Sequence, residues 1–234
     1  MPPRRIPRGS ARRPQPRLGP DVAILVIGET QEMSAEASSR ATIGLPGRQA
    51  DLAHAVQATG TPVVVVLMNG RPLAIPSLVE NVPAVVESWY LGVEMGNAVA
   101  DVLFGGYNPG GKLPVTFPRS AGQVPIYYAH RNTGRPPSST EKYTSKYLDV
   151  PWTPLFPFGY GLSYTRFSYG PPRLGTTTLR PGGSLAVQVE VTNSGTRMGH
   201  EVVQLYIRDE VASVTRPVKE LRGFERIRLE PGES

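Results

Sequence analysis

The sequence predicts an α/β fold followed by an all-β segment: a partial parallel α/β sandwich, then a truncated β-sandwich. Three observations carry this. Branched apolar runs at residues 22–27, 62–68 and 84–89 alternate with stretches of helical period, the mark of a parallel sheet buried between helices. After Phe167 the period changes to two. The 25 glycines and 25 prolines among 234 residues predict many turns and long ordered loops rather than a helical bundle.

Residues 1–20 hold six arginines, six prolines, no acid and almost no apolar content, so a disordered basic tail is expected there. It reads as a targeting or nucleic-acid arm, or as a leader foreign to the folded chain. Without those arginines the remaining 19 basic residues balance 19 acidic ones. The net charge of +6 therefore belongs to the tail, and the basic face of a nucleic-acid binder is not supported. No run approaches the roughly 18 apolar residues of a membrane span, and residues 1–20 lack the apolar core of a secretory signal.

From Asp21 the first apolar run, Val22 to Ile27, predicts a buried strand. A loop follows that carries Glu29, Glu32 and Glu36 beside Ser38, Ser39 and Arg40. Ligand sites in open α/β sheets lie past the carboxyl ends of strands, which is where this loop sits. Gly47 to Ala58 reads as a helix, Pro62 to Met68 as a second strand, and Pro76 to Val82 as a short helix. Ala84 to Trp89 reads as a third strand and Val93 to Phe104 as a helix stopped by Gly105-Gly106. Such a sheet is expected to be covered on both faces. Three strands are few for it, so part of this domain is expected to be missing.

Tyr107 to Tyr164 has little periodicity but seven tyrosines, suiting a packed surface. Strands are then expected at 185–191, at 201–208 and within 218–229, with a turn at Asn193-Ser194-Gly195. A seven-stranded sandwich needs more, so truncation is expected here too. The resulting division is a tail (1–20), an α/β domain (21–119), a long ordered loop or linker (120–165) and a β-sandwich (166–234).

With no cysteine and three scattered histidines, the chain predicts no disulfide, no thiolate chemistry and no metal site. A nucleotide-binding domain is excluded because no Gly-rich phosphate loop follows the first strand. Asn69 and Arg71, just past the second strand, read equally as a cleft lining or as a strand-end turn. Trp152 can stack on a sugar face, whereas Trp89 reads as core packing. His54 reads as a surface or packing residue.

Several motifs resemble glycoside hydrolase family 3. They are Gly28-Glu29, then Glu36-Ala37-Ser38-Ser39-Arg40 and Leu45-Pro46, against a GE…E-G-x-D-R…L-P pattern. Val65 to Pro72, Gly105 to Pro114 and Pro157 to Tyr164 agree in order, and Arg216 to Phe224 resembles a fibronectin-III-like module. The likeness covers Asp21 to Ser234 and leans toward periplasmic bacterial β-glucosidases. It implies the last part of the family's (α/β)6 sandwich plus most of the fibronectin-III-like module, without the N-terminal barrel that supplies an aspartate nucleophile. It implies Glu36 as the acid/base, with Glu32 as competitor and Glu29 structural. Arg40, Asn69 and Arg71 are the substrate-binding candidates, and Lys142 to Ser145 are weaker ones.

The implied activity is retaining exo-hydrolysis of a β-glucoside or β-xyloside, with no cofactor, no nucleic-acid partner and no membrane. The alternative is a non-catalytic carbohydrate-binding or interaction fragment. The family implies a periplasmic or extracellular location. The chain departs from the pattern at Ser39, where an aspartate is usual, so a charge-pairing role there does not carry over.

Overall fold

The first three strands set the positions of everything that follows. In the computed structural model, which describes residues 21–234, β1 (Ala23–Gly28), β2 (Val63–Met68) and β3 (Ala84–Glu87) form a parallel sheet in that order. The tail expected over residues 1–20 lies outside the described residues. β2 is central and reads VVVVLM; Val63, Val65, Val66 and Leu67 are all buried. The register pairs Gly28 with Met68 and Leu67 with Glu87. The three strands therefore end at one edge, and the loops leaving them are neighbours.

Helices α1 (Gln49–Ala58) and α2 (Pro76–Asn81) cover one face. Ala53 and Leu78 close on Ile27, Val65, Leu67, Leu73 and Ile75 in a single core. Burying a Val, Leu or Ile side chain of this kind stabilises by about 1.5–3 kcal/mol. Proline at the first turn of α2 suits a position whose N–H has no helical partner.

The expectation of cover on both faces holds at β2, where neighbouring Val65 and Val66 are both buried, and is corrected at β1. α3 (Met95–Leu103) buries none of its residues, and Val22, Ile24 and Val26 on β1 are 48%, 45% and 60% exposed. An apolar run specifies a strand but not which element will cover its second face. β3 also stops two residues earlier than expected, because Trp89 takes a left-handed φ of 53° that ends extended pairing.

Gly28 ends β1 where only glycine fits. Its φ is 145°, and a Cβ there would lie 1.9 Å from the Met68 carbonyl oxygen. The Gln49 side chain then acts as a short strand for this edge: its Oε1 accepts from the Gly28 N–H at 2.8 Å, and its Nε2 donates to the Gly28 carbonyl at 2.9 Å. Helix α1 is thereby tied to the strand end from which the acidic loop emerges.

The segment between Tyr107 and Tyr164 folds back on itself. Leu113 and Tyr160 are joined through backbone at 2.8 Å, and Phe117 bridges Phe156 at 2.9 Å. Phe117 is buried against Trp89, with ring centroids 5.7 Å apart. Asn108 accepts from Ser163 Oγ and the Tyr164 N–H and donates to the Met198 carbonyl, pinning both ends of the segment to the chain just before Gly199.

The C-terminal part is antiparallel. β4 (Phe167–Tyr169) pairs with β7 (Val191–Asn193), and β5 (Arg173–Leu174) with β6 (Val187–Gln188). β8 (Gly199–Ile207) pairs with β9 (Glu220–Leu229), with a bulge at Leu205/Tyr206. The single strand expected at 185–191 is instead two short pieces, β6 and β7, which have different partners. The Asn193 turn is fully satisfied: Oδ1 accepts from Thr165 and Gly195, and Nδ2 donates to Arg197 and Leu229 carbonyls.

Gln49→Ala should leave the Gly28 N–H and C=O without partners. A loss of about 1–3 kcal/mol is expected, read as a lowered urea midpoint at unchanged slope.

Candidate active site

The acidic loop is built on a buried charge. Glu29, directly after β1, has a side chain with 0% exposure. Arg40 Nη1 reaches its Oε1 at 2.5 Å, and Arg71 Nε lies 3.1 Å from the same oxygen. Arg71 Nε also donates to Oε2 at 3.2 Å, and Ser34 Oγ donates there at 2.8 Å. Burial works against the charge. The Arg40 and Ser34 hydrogen bonds and the two guanidinium charges outweigh it and hold the carboxyl below its ordinary range. Because this pKa is depressed, its contribution to stability is full above the unfolded value and is lost as pH falls through the folded one.

Those cations then fix the rest of the loop. Arg71 Nη2 donates to the carbonyls of Met33 and Ser38 (2.9 Å to the latter), and Arg40 Nη2 donates to the Gly44 carbonyl at 3.1 Å. Ala74 N–H donates to the Ile43 carbonyl at 2.8 Å, closing the loop against the chain that leaves β2. A Cβ on Gly70 would lie 2.6 Å from Ser34 Cβ and 2.9 Å from Tyr90 Cε2, so loop, β2 exit and β3 exit meet there at backbone distance.

Glu36 stands on the far side of this clamp. It is exposed, and among the described residues no cation pairs with its carboxylate. Its carbonyl accepts from Ser38 Oγ at 3.4 Å. The next residue, Ala37, has φ 59°, a left-handed conformation that costs an L-residue roughly 1–2 kcal/mol. The family pattern has glycine there. Glu32, also exposed, lies within the short 3₁₀ turn Gln31–Met33. The N–H of its own residue and the Thr30 hydroxyl hold its carboxyl below the ordinary range, which favours its ionised form.

Of the other sequence candidates, Arg40 and Arg71 converge on Glu29 and keep 18% and 23% of their side chains exposed. Asn69 is fully buried; its Nδ2 donates to the Arg71 carbonyl at 2.8 Å and its Oδ1 has no partner. Among the described residues, Lys142 to Ser145 are not brought to this site by any hydrogen bond, since the bonds of Thr144 and Ser145 stay within residues 133–146. Trp152 instead lines a cavity of about 490 Å³ with Tyr127, Tyr147 and Asn132. Sequence reasoning did not single out Ser34, Gln49, Glu87 or Tyr90. Their roles depend on where three strands end relative to one another, and no local pattern encodes that.

Residues 8–164 match the model of the glycosyl hydrolase family 3 C-terminal domain, and residues 201–234 match that of the fibronectin type III-like domain. The chain belongs to glycosyl hydrolase family 3. It is 54% identical over 215 residues to a periplasmic beta-glucosidase of Salmonella typhimurium, covering 91% of this chain and 28% of that protein. It is 49% identical over 214 residues to a beta-xylosidase of Formosa agariphila, covering 92% and 29%. Among solved structures, the beta-glucosidase of Listeria innocua superposes with a TM-score of 0.88 at 46% identity, over 91% of this chain and 30% of that one. The chain thus spans under a third of the length of these family 3 relatives.

Removing one member of the Glu29 cluster strands the others. Glu29→Ala should cost about 3–5 kcal/mol in chemical denaturation, because two largely buried guanidiniums lose their counter-charge. Ala37→Gly should act in the opposite sense. Relief of about 1–2 kcal/mol of strain exceeds the roughly 0.5–1 kcal/mol entropic cost of glycine, so the melting temperature should hold or rise slightly.

Proposed function

We propose that the chain carries the acid/base half of a retaining exo-β-glycosidase, of the β-glucosidase or β-xylosidase type, acting on terminal O-glycosidic bonds. The observation that carries this is Glu36: an exposed carboxylate, unpaired with any cation among the described residues, on a loop whose base is clamped at the carboxyl end of the parallel sheet. Identity to a beta-glucosidase and a beta-xylosidase supports the reaction class.

Glu36 would first protonate the departing glycosidic oxygen and then, as carboxylate, take a proton from the attacking water. The fixed loop base limits where the carboxyl can go, and its flanking residues leave it room to approach a bound sugar. Retention requires a second carboxyl about 5–5.5 Å away as nucleophile. In this reading a barrel domain outside these 234 residues supplies it, as the family resemblance implies. Arg40 and Arg71 lock the loop through Glu29, and their exposed nitrogens remain available to sugar hydroxyls. Asn69 orients the turn that carries Arg71. The location proposed is periplasmic or extracellular, by analogy with the Salmonella relative's name.

A second reading, a carbohydrate-binding module without catalysis, has one observation in its favour. The 490 Å³ cavity presents Trp152, Tyr127 and Tyr147, which are 38%, 61% and 47% exposed, beside Asn132 and Arg131. Aromatic faces next to polar side chains suit a saccharide.

Hydrolysis of an aryl β-glucoside separates the readings. The chain joined to a family barrel should turn over, and Glu36→Gln in that enzyme should lower kcat by about 10²–10⁴ and remove one limb of the pH–rate profile. Strong turnover by the 234 residues alone, or an unchanged profile in Glu36→Gln, would reject the assignment. The latter result would favour Glu32.

A further inference from the structure

At the same end of the sheet, two strands over, lies a half-buried carboxylate that the proposed chemistry does not use. Glu87 ends β3 opposite Leu67 of β2. Its Oε1 accepts from the Trp89 N–H at 3.0 Å, and its Oε2 faces Asn69 Nδ2 at 3.5 Å. No cation pairs with it among the described residues.

The residue it holds is strained. Trp89 has φ 53°, and a bulky side chain reaches that region only when its surroundings impose it. Three contacts do so: the Glu87 carboxylate on its N–H, Ser88 Oγ donating to the Leu67 carbonyl at 2.7 Å, and Phe117 against its ring. The left-handed turn sends Tyr90 back across the sheet edge. Its hydroxyl proton is shared between the carbonyls of Glu29 and Thr30, at 3.0 and 2.9 Å, at the foot of the Glu36 loop. The ring passes the point where Gly70 and Ser34 meet.

We propose that Glu87 is a positioning residue for the Glu36 loop, acting through the Trp89–Tyr90 turn, so that its charge state sets how firmly the loop is held. The inference rests on the Glu36 reading for its catalytic consequence but not for its test. Desolvation pushes the Glu87 carboxyl up to about 7, against the opposing pull of the Trp89 N–H and the Asn69 amide. The charged and titratable groups near it are otherwise committed. Arg71 and Arg40 are held by Glu29, and Tyr90 is bonded to backbone. A charged acceptor grips an N–H about twice as strongly as a neutral one. The turn is therefore tighter above neutral pH and looser below it.

The chain has no cysteine, so Ala35→Cys, at an exposed loop position, gives a unique site for a nitroxide label. Trp152→Phe leaves Trp89 as the sole tryptophan reporter. Between pH 5.5 and 8.5 both the label mobility and the Trp89 emission should change with one midpoint near 7, the label becoming less mobile as pH rises. Glu87→Gln, a permanently neutral acceptor, should flatten both curves at the looser, low-pH level, whereas Glu87→Ala should release the loop further at every pH. Tyr90→Phe removes only the hydroxyl. It should leave the Trp89 titration intact and abolish that of the label, which keeps the test informative if Glu87 variants fold poorly. A label titration that survives Glu87→Gln or Tyr90→Phe overturns the proposal, and so does a label insensitive to pH and to all three substitutions.

Discussion

The loop that carries the proposed chemistry depends on one buried negative charge. Glu29 has lost its water, and only the joint presence of Arg40, Arg71 and Ser34 makes that tolerable. Each of those partners then does a second thing with the rest of its side chain or backbone. Arg40 takes the Gly44 carbonyl, Arg71 takes those of Met33 and Ser38, and Ser34 sits against Gly70. The path of the loop is thus a consequence of satisfying Glu29. An arrangement of this kind is close to all-or-none, since a half-satisfied buried network is worse than none.

Three glutamates leave the same sheet edge region in three environments, and environment divides their work. Glu29 is buried with cations and is held charged. Glu87 is half-buried with no cation paired to it among the described residues and is pushed toward neutrality. Glu36 is exposed and, among the described residues, unpaired. The same side chain is an anchor at Glu29 and, in the roles proposed above, a sensor at Glu87 and a proton carrier at Glu36, according to what surrounds it.

Much of this was legible in the residues. The runs VAILVI and PVVVVLM announce parallel strands, the period change after Phe167 announces antiparallel ones, and Gly28-Glu29 marks where the first strand ends. Glu29 and Arg40, two members of one short motif, do meet. Other features follow from relations between distant segments. Gln49 completes the hydrogen bonding of Gly28 from 21 residues away, and Tyr90 reaches the loop from 61 residues away. Trp89 reads as a strand residue by composition, yet it turns left-handed under contacts from Glu87 and Phe117. The second face of the sheet shows the limit most plainly. Hydrophobicity says that Val22, Ile24 and Val26 prefer cover, and nothing in that pattern says what provides it.

That bare strip of β1 has a colloidal consequence. It combines three exposed branched side chains with an edge whose backbone groups face outward, the surface most prone to pair with another strand. Among the described residues this margin has the character of surfaces that associate, and a neighbour seated on it would remove the hazard. The property of these 234 residues most sensitive to such a neighbour is therefore solubility more than folding, because the core that α1 and α2 close lies on the opposite face.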